Sequence, residues 1–251
     1  MSASVASVAV AGASGRLGAV ICEVIAAHPE FDLVAELTSQ SSPDDGASAD
    51  IFVDVTTPES SPALVERAVR RGQRVLVGTS GWSAERLASL ERVVAEVDGA
   101  GVILVPNFSL GSVLGTALAQ IAAPYFDSIE VIEAHHQAKI DSPSGTAVRT
   151  AELMAAARDA AGAPAVAAPF AEQRARGELV AGIPVHSLRL SGVIAKQEVR
   201  FGGAGEVLSI QHDTFSNESY VAGIRAGLEG VRGATGLTVG LDRLLGIGGV
   251  A

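Results

Sequence analysis

Two periodicities alternate along the first hundred residues. Short apolar and β-branched runs fall at Val5–Val10, Asp32–Leu37, Ile51–Val55, Arg74–Val77 and Val102–Val105. Between most of them, apolar positions recur at helical spacing over Leu17–Ala27, Pro62–Arg71 and Ala84–Val97. Nearly continuous apolar strands separated by helices predict a doubly wound parallel sheet, since such a sheet is covered on both faces. Ser83 predicts a helix N-cap with Glu85 and Arg86 in the first turn, and Gly72 and Gly99 predict helix stops. The Ser-, Asp- and Gly-rich stretch Thr38–Asp50 reads as a surface loop.

Beyond Val105 the pattern becomes mixed. A helix is expected from about Ser112 to Ala122, a strand over Ser128–His135 and a helix from about Thr146 to Ala160. The Ala-, Pro- and Gly-rich segment Gly162–Pro184 reads as one long connection. Val185–Leu190, Val193–Phe201 and Glu206–Asp213 read as strands, the last two joined by a turn at Gly202–Gly205. Tyr220–Gly227 and Leu237–Leu245 read as helical or mixed and as returning to the first domain.

Composition narrows the class. With 48% hydrophobic and 18% charged residues in 251, the chain has ample core and is not disordered. A formal net charge of −10 argues against nucleic acid as a partner and requires any anion site to be locally basic. Cys22, the single cysteine, excludes an internal disulfide and a Cys-based zinc cluster, and it fits a reducing, cytoplasmic compartment. No apolar run reaches the roughly 18 residues of a bilayer span, and Met1–Val10 lacks the basic start of a signal peptide, so no membrane partner is expected.

The first strand pattern runs into Gly12-Ala13-Ser14-Gly15-Arg16-Leu17-Gly18 and then a helix. This GxxGxxG spacing is a variant of the dinucleotide fingerprint. Gly12 permits the tight turn, Gly15 the approach of a pyrophosphate, and Gly18 the packing of helix on strand. A glycine-rich turn that binds nothing has the same composition, but the strand before and the α/β repeat after it favour a cofactor. The acidic residue that usually meets the adenosine ribose belongs about twenty residues on. Thr38 stands there, followed by Ser39, with Glu36 two residues earlier. Arg16 either meets a 2′-phosphate or is merely solvated, so NADH and NADPH both stay open. Two further strand ends, Gly78-Thr79-Ser80-Gly81 and Val105-Pro106-Asn107-Phe108, point to the same crevice, with small residues and an amide suited to a nicotinamide.

The sharpest feature is Glu133-Ala134-His135-His136-Gln137-Ala138-Lys139-Ile140-Asp141-Ser142-Pro143-Ser144-Gly145-Thr146-Ala147. It carries two of the five histidines and one of only two lysines, the other being Lys196, in a chain whose remaining basic residues are arginine. Imidazole passes a proton near neutrality, and an ammonium donates one to a developing carbanion or amine. Ser144-Gly145-Thr146 starts a helix, where free N–H groups favour a carboxylate. Together they form a positive patch on an acidic chain, suited to a small dicarboxylate. A zinc site is the rival reading, but adjacent strand histidines face opposite ways and no third ligand is evident. Surface histidines beside a capped helix are the plain alternative.

This segment resembles the E-x-H-H-x-x-K-x-D-x-P-S-G-T-A signature of the dihydrodipicolinate reductase (4-hydroxy-tetrahydrodipicolinate reductase) family of diaminopimelate and lysine synthesis. Gly12–Gly18, Asp54-Val55-Thr56, Gly78–Gly81 and Pro106–Phe108 follow in the family's order, and the similarity extends over nearly the whole chain. The resemblance implies NADH- or NADPH-dependent reduction of 4-hydroxy-tetrahydrodipicolinate. His135 would be proton donor or acceptor and Lys139 proton donor, with His136, Ser144, Gly145 and Thr146 on the substrate. It implies a dinucleotide-binding domain over residues 1–106 joined by 218–251, a substrate and oligomerisation domain over 107–217, and a homotetramer built through the second domain's sheet. Three residues depart from the family pattern: Val55 where an aromatic is usual, Thr38 for the ribose acid, and Asn217 where an arginine is expected. Two alternatives remain at this level. One is another two-domain nicotinamide oxidoreductase acting on a sugar or semialdehyde, although Cys22 lies inside a helix pattern and is poorly placed as a nucleophile. The other is a non-catalytic NAD(H) sensor with a partner protein.

Overall fold

The computed structural model describes residues 5–42 and 44–247. The chain divides into two compact units, one of residues up to Leu110 with Tyr220–Gly246, the other of Gly111–Ser219.

The first unit holds strands β1 (Ala6–Ala11), β2 (Phe31–Leu37), β3 (Ile51–Asp54), β4 (Arg74–Val77) and β5 (Gly101–Leu104), interleaved with helices α1 (Arg16–Ala26), α2 (Ser61–Arg70) and α3 (Ala84–Ala95). The sheet order is β11-β5-β4-β3-β1-β2, with β11 at Gly236–Val239 and every pairing parallel. Every residue of β3 and β5 is buried, whereas the edge strand β2 alternates. Burial on both faces selects continuous apolar runs at the centre of the sheet. Ser83 caps α3, its hydroxyl accepting from Arg86 N, and Gly72 and Gly99 follow their helices with positive φ. The 38–50 loop is tied to the unit: Gln73 Nε2 donates to the carbonyls of Gly46 and Ala49, and Asp50 accepts from Ser7.

The second unit begins with α4, which starts at the junction and spans Leu110–Ala122, and continues with β6 (Ser128–His135) and α5 (Gly145–Ala160). Strands β7 (Glu178–Val180), β8 (Ile183–Arg189), β9 (Ala195–Gly203) and β10 (Glu206–Thr214) complete a sheet of order β10-β9-β6-β8-β7. β6 and β8 are parallel and the other pairs antiparallel, so the sheet is mixed. Its core packs Ile129, Val131, Val185, Val199 and Phe201 with Met154 and Ala151 of α5.

Two expectations need correction. The 162–184 segment is not one connection: it contains β7, and Pro184 lies inside β8. Ala181 (φ +48°) and Gly182 (φ +82°) form a two-residue hairpin turn with positive φ at both positions. That turn is normally signalled by Asn-Gly, and alanine hides it. Pro184 is tolerated because pairing with β6 begins only at Val185. The helix read as stopping at Gly227 is α6, which runs over Val221–Arg232. Its glycines serve packing rather than termination. A Cβ on Gly223 would lie 1.9 Å from the Phe108 carbonyl oxygen, and one on Gly227 would lie 3.1 Å from a Leu76 methyl. The segment after it is strand β11 and then a short helix, α7 (Leu241–Leu244).

Arg158, buried near the end of α5, donates to the carbonyls of Ala123, Phe126 and Pro164. Its loss would leave three carbonyls without their donor, so Arg158→Met should lower unfolding free energy by about 2–4 kcal/mol. Urea denaturation followed by circular dichroism measures it, and an unchanged midpoint would refute the bridging role.

Candidate active site

In the first unit, three loops leave the carboxyl ends of parallel strands. Gly12–Leu17 follows β1, Gly78–Ser80 follows β4, and Val105–Phe108 follows β5. Gly12 has φ +87°, and a Cβ there would lie 2.4 Å from the Val55 carbonyl oxygen. A Cβ on Gly18 would lie 2.1 Å from the Gly12 carbonyl oxygen, so only glycine lets α1 sit this close to the turn. Gly15 is the N-cap of α1 and brings no side chain to the first-turn N–H groups, leaving them for an anion. Ser14 and Arg16 are exposed, and Ala13 is buried. These features fit a dinucleotide pyrophosphate.

The other two loops are firmly built. Gly78 N donates to Asp54 O (2.8 Å) and Val105 N to Val77 O (2.7 Å). Asn107 Oδ1 accepts from Ser109 N, and Ser80 and Pro106 are exposed. Thr79, Val105 and Phe108 are buried. The Phe108 ring fills the space a Cβ on Gly78 would need, 2.6 Å away, so it supports the loop from beneath. Thr38 is exposed, and its hydroxyl accepts from Gln40 N within its own turn.

In the second unit, β6 places Ile129, Val131 and Glu133 on its buried stripe and ends at His135. Glu133 is fully buried. Arg189 grips it with both nitrogens, Nη1 donating to Oε2 and Nη2 to Oε1 at 3.0 Å each. His135 Nδ1 lies 2.6 Å from Oε2, and Ser144 N donates to Oε1 at 3.2 Å. Burial pushes the Glu133 carboxyl up, but hydrogen bonds from His135, Arg189 and Ser187 outweigh it and hold it down at about 2.

The turn after β6 carries His136 and Lys139. Lys139 Nζ donates to both oxygens of Asp141, at 2.7 and 2.8 Å, and its hydrogen bonds hold the Asp141 carboxyl below the usual range. Ser142-Pro143 is a cis peptide. Ser144 is the N-cap of α5, its hydroxyl accepting from Ala147 N at 3.2 Å. That hydroxyl therefore serves the helix, and the next two N–H groups, on Gly145 and Thr146, have no partner within the helix. Gly145 is exposed, and a Cβ on it would meet nothing within 4 Å, so the approach to these donors is open.

The sequence-predicted residues His135, Lys139, Ser144, Gly145 and Thr146 thus share one strand end, one turn and one helix start. Arg189 was missed: β8 brings it beside His135 from far along the chain, and no local pattern marks it. Glu133 carried a signal, a carboxylate on the buried stripe of an alternating strand. Among the described residues, no group of three or more His, Cys, Asp or Glu could hold a metal ion. Nor is any helix among them long and apolar enough to cross a membrane.

Acid stability follows from the Glu133 shift. A carboxyl lowered from 4.5 to about 2 on folding stabilises the folded state fully above its unfolded value and loses that contribution as pH falls toward 2. The unfolding free energy of the wild type should therefore drop between these limits more than that of Glu133→Gln. Urea titrations at stepped pH test this, and parallel curves would contradict it.

Comparison with known proteins gives a consistent answer. The family models for "Dihydrodipicolinate reductase, N-terminus" and "Dihydrodipicolinate reductase, C-terminus" match residues 6–49 with 43–108, and 111–245. The 4-hydroxy-tetrahydrodipicolinate reductase of Clavibacter michiganensis subsp. michiganensis is 56% identical over 97% of this chain and 87% of its own length. That of Streptomyces coelicolor is 45% identical over 95% and 97%. A dipicolinate-bound dihydrodipicolinate reductase from Paenisporosarcina sp. TG-14 superposes with TM-score 0.80 at 30% identity, covering 95% of this chain and 98% of that one.

Proposed function

The chain belongs to the dihydrodipicolinate reductase family, and we propose on that footing that His135 and Lys139 carry proton transfer in its reaction. It is an oxidoreductase that reduces 4-hydroxy-tetrahydrodipicolinate to tetrahydrodipicolinate with a nicotinamide cofactor. The observation that carries the residue assignment is the clustering of imidazole, ammonium and unpaired helix N–H groups within one segment of an acidic protein.

In this reading the N–H groups of Gly145 and Thr146, with His136, hold the substrate's carboxylates, and Ser144 keeps that helix start in place through its cap. The dipicolinate bound by the Paenisporosarcina enzyme has the same pair of carboxylates. Lys139 supplies a proton as the substrate loses water and is reduced. Asp141 holds the ammonium in place through its two hydrogen bonds until then. His135 donates or accepts a proton beside it. Reduced nicotinamide, when bound, supplies the hydride. Gly12, Ala13, Ser14, Gly15, Arg16 and Leu17 would hold its pyrophosphate, with Gly78–Ser80 and Val105–Phe108 around the nicotinamide. Both NADH and NADPH are proposed to serve, because Thr38 sets no carboxylate against a 2′-phosphate and Arg16 is exposed at the start of α1. The first unit is accordingly assigned to the cofactor and the second to substrate and assembly, in a cytoplasmic enzyme.

Lys139→Ala should lose about 10²–10⁴ in turnover while dinucleotide binding and folding persist. The assay follows loss of reduced-nicotinamide absorbance on aldolase-generated substrate, with each cofactor in turn. Normal turnover by the variant would remove Lys139 from the mechanism.

A homotetramer is proposed for the assembled enzyme. Its support is an apolar face on the second unit, where Leu118, Ile121 and Tyr125 of α4 and the following turn, with Leu208 of β10, are all exposed. Contiguous apolar surface of this kind marks an association site. Light scattering should give a tetramer for the wild type and smaller species for Ile121→Asp; a monomeric wild type would overturn the proposal.

A further inference from the structure

We propose that Glu133 is a positioning residue: clamped by Arg189, it fixes the proton of His135 on Nδ1 and leaves Nε2 to exchange a proton with substrate. The inference rests on the reading of His135 as a proton-transfer residue.

The geometry leaves the carboxylate little freedom. Its Oε1 accepts from Arg189 Nη2 and Ser144 N, and its Oε2 accepts from Arg189 Nη1 and faces His135 Nδ1 at 2.6 Å. An ionised carboxylate only accepts hydrogen bonds, so the ring nitrogen this close to it must carry the hydrogen. The tautomer of His135 is thereby set by a neighbour two residues back on the same face of β6. The same group ties down the other parts of the site. Through Ser144 N it reaches the N-cap of α5, next to the N–H groups of Gly145 and Thr146. Through Arg189, whose Nη2 also donates to the Asp141 carbonyl at 2.6 Å, it reaches the residue that holds Lys139. One ion pair, its carboxylate buried and its guanidinium half-buried, therefore sets the imidazole, the ammonium and the helix start in fixed relation.

Glu133→Gln separates this role from simple support. The amide has one oxygen, and two backbone or guanidinium donors, Ser144 N and Arg189 Nη2, meet at the Oε1 position. Only one fixed donor, Arg189 Nη1, meets the Oε2 position besides the imidazole. The Ser187 hydroxyl, the remaining donor to this carboxyl, can rotate to suit either arrangement. The amide oxygen therefore takes the Oε1 place and its NH₂ faces His135, which turns the imidazole to the Nε2–H form. An imidazole held in the wrong tautomer should lose about 10²–10⁴ in turnover with little change in substrate KM.

The test combines kinetics with ¹⁵N NMR of protein labelled at histidine, recorded where His135 is neutral. The wild type should show hydrogen on Nδ1 and a bare Nε2. In Glu133→Gln the two nitrogens should exchange character as turnover falls, with dinucleotide binding intact. Glu133→Asp, which restores an acceptor-only group, should keep the Nδ1–H form and recover at least tenfold of the lost turnover. A wild type protonated on Nε2 overturns the proposal without any variant, even if the glutamine form does not fold. It is equally overturned if the glutamine variant loses turnover with no change at the ring nitrogens, or exchanges them at full turnover. Failure of the wild type to reduce the substrate would instead remove the functional reading, while the nitrogen assignment would stand as measured.

Discussion

A carboxylate buried in the protein must have its lone pairs met by donors, and in this molecule donors from the elements of the proposed site meet Glu133. Burying an ion pair is not by itself a source of stability, because desolvation offsets much of the attraction. Removing one partner of a fully buried pair costs about 3–5 kcal/mol, since the other charge is left bare, and that cost applies here to Glu133 more than to the half-buried Arg189. The pair is therefore better understood as a device that permits one arrangement of β6, β8 and the start of α5. Side chains on a turn after a strand would otherwise sample several rotamers, and proton transfer tolerates little of that.

The first unit solves a different problem by a related means. There the groups proposed to face the cofactor are backbone N–H, and what must be controlled is how closely chain segments approach. Gly12 and Gly18 lie where any Cβ would collide with backbone atoms. Phe108, Val55 and Gly78 pack against one another beneath the neighbouring loops. Absence of side-chain atoms does in this unit what a saturated carboxylate does in the other. Val55, where the family usually has an aromatic, contributes a methyl that a Cβ on Gly78 would meet at 2.9 Å, so the smaller residue still takes part in this contact.

How much of this could be read from the sequence depended on the range of the interaction. The parallel strands were legible because burial on both faces writes itself as continuous apolar runs, and β4 and β6 were found with the bounds Arg74–Val77 and Ser128–His135. Caps such as Ser83 were legible because a cap and its helix are neighbours in sequence. The proposed proton-transfer residues and the helix start fall in one segment, so their grouping was visible as well. Arg189 was not, because its meeting with Glu133 is made by strand pairing across 56 positions. The β7–β8 hairpin was missed because Ala181 adopts a left-handed conformation that its residue type does not advertise. The full length of α6 was missed because glycines that serve close packing look the same in sequence as glycines that end helices.

The sheet of the first unit has an order of assembly written into it. β5 ends at Leu104, yet the strand that covers its outer edge, β11, is encoded about 130 residues later, so at ordinary synthesis rates of 5–20 residues per second the edge waits roughly ten seconds for its partner. During that interval a nascent chain presents a bare strand to its surroundings, the kind of edge that pairs with other chains when left uncovered. The strand is four residues long and wholly apolar. Translation speed through the second unit, and whatever shields the emerging polypeptide, therefore bear on how much of the newly made protein reaches its native form.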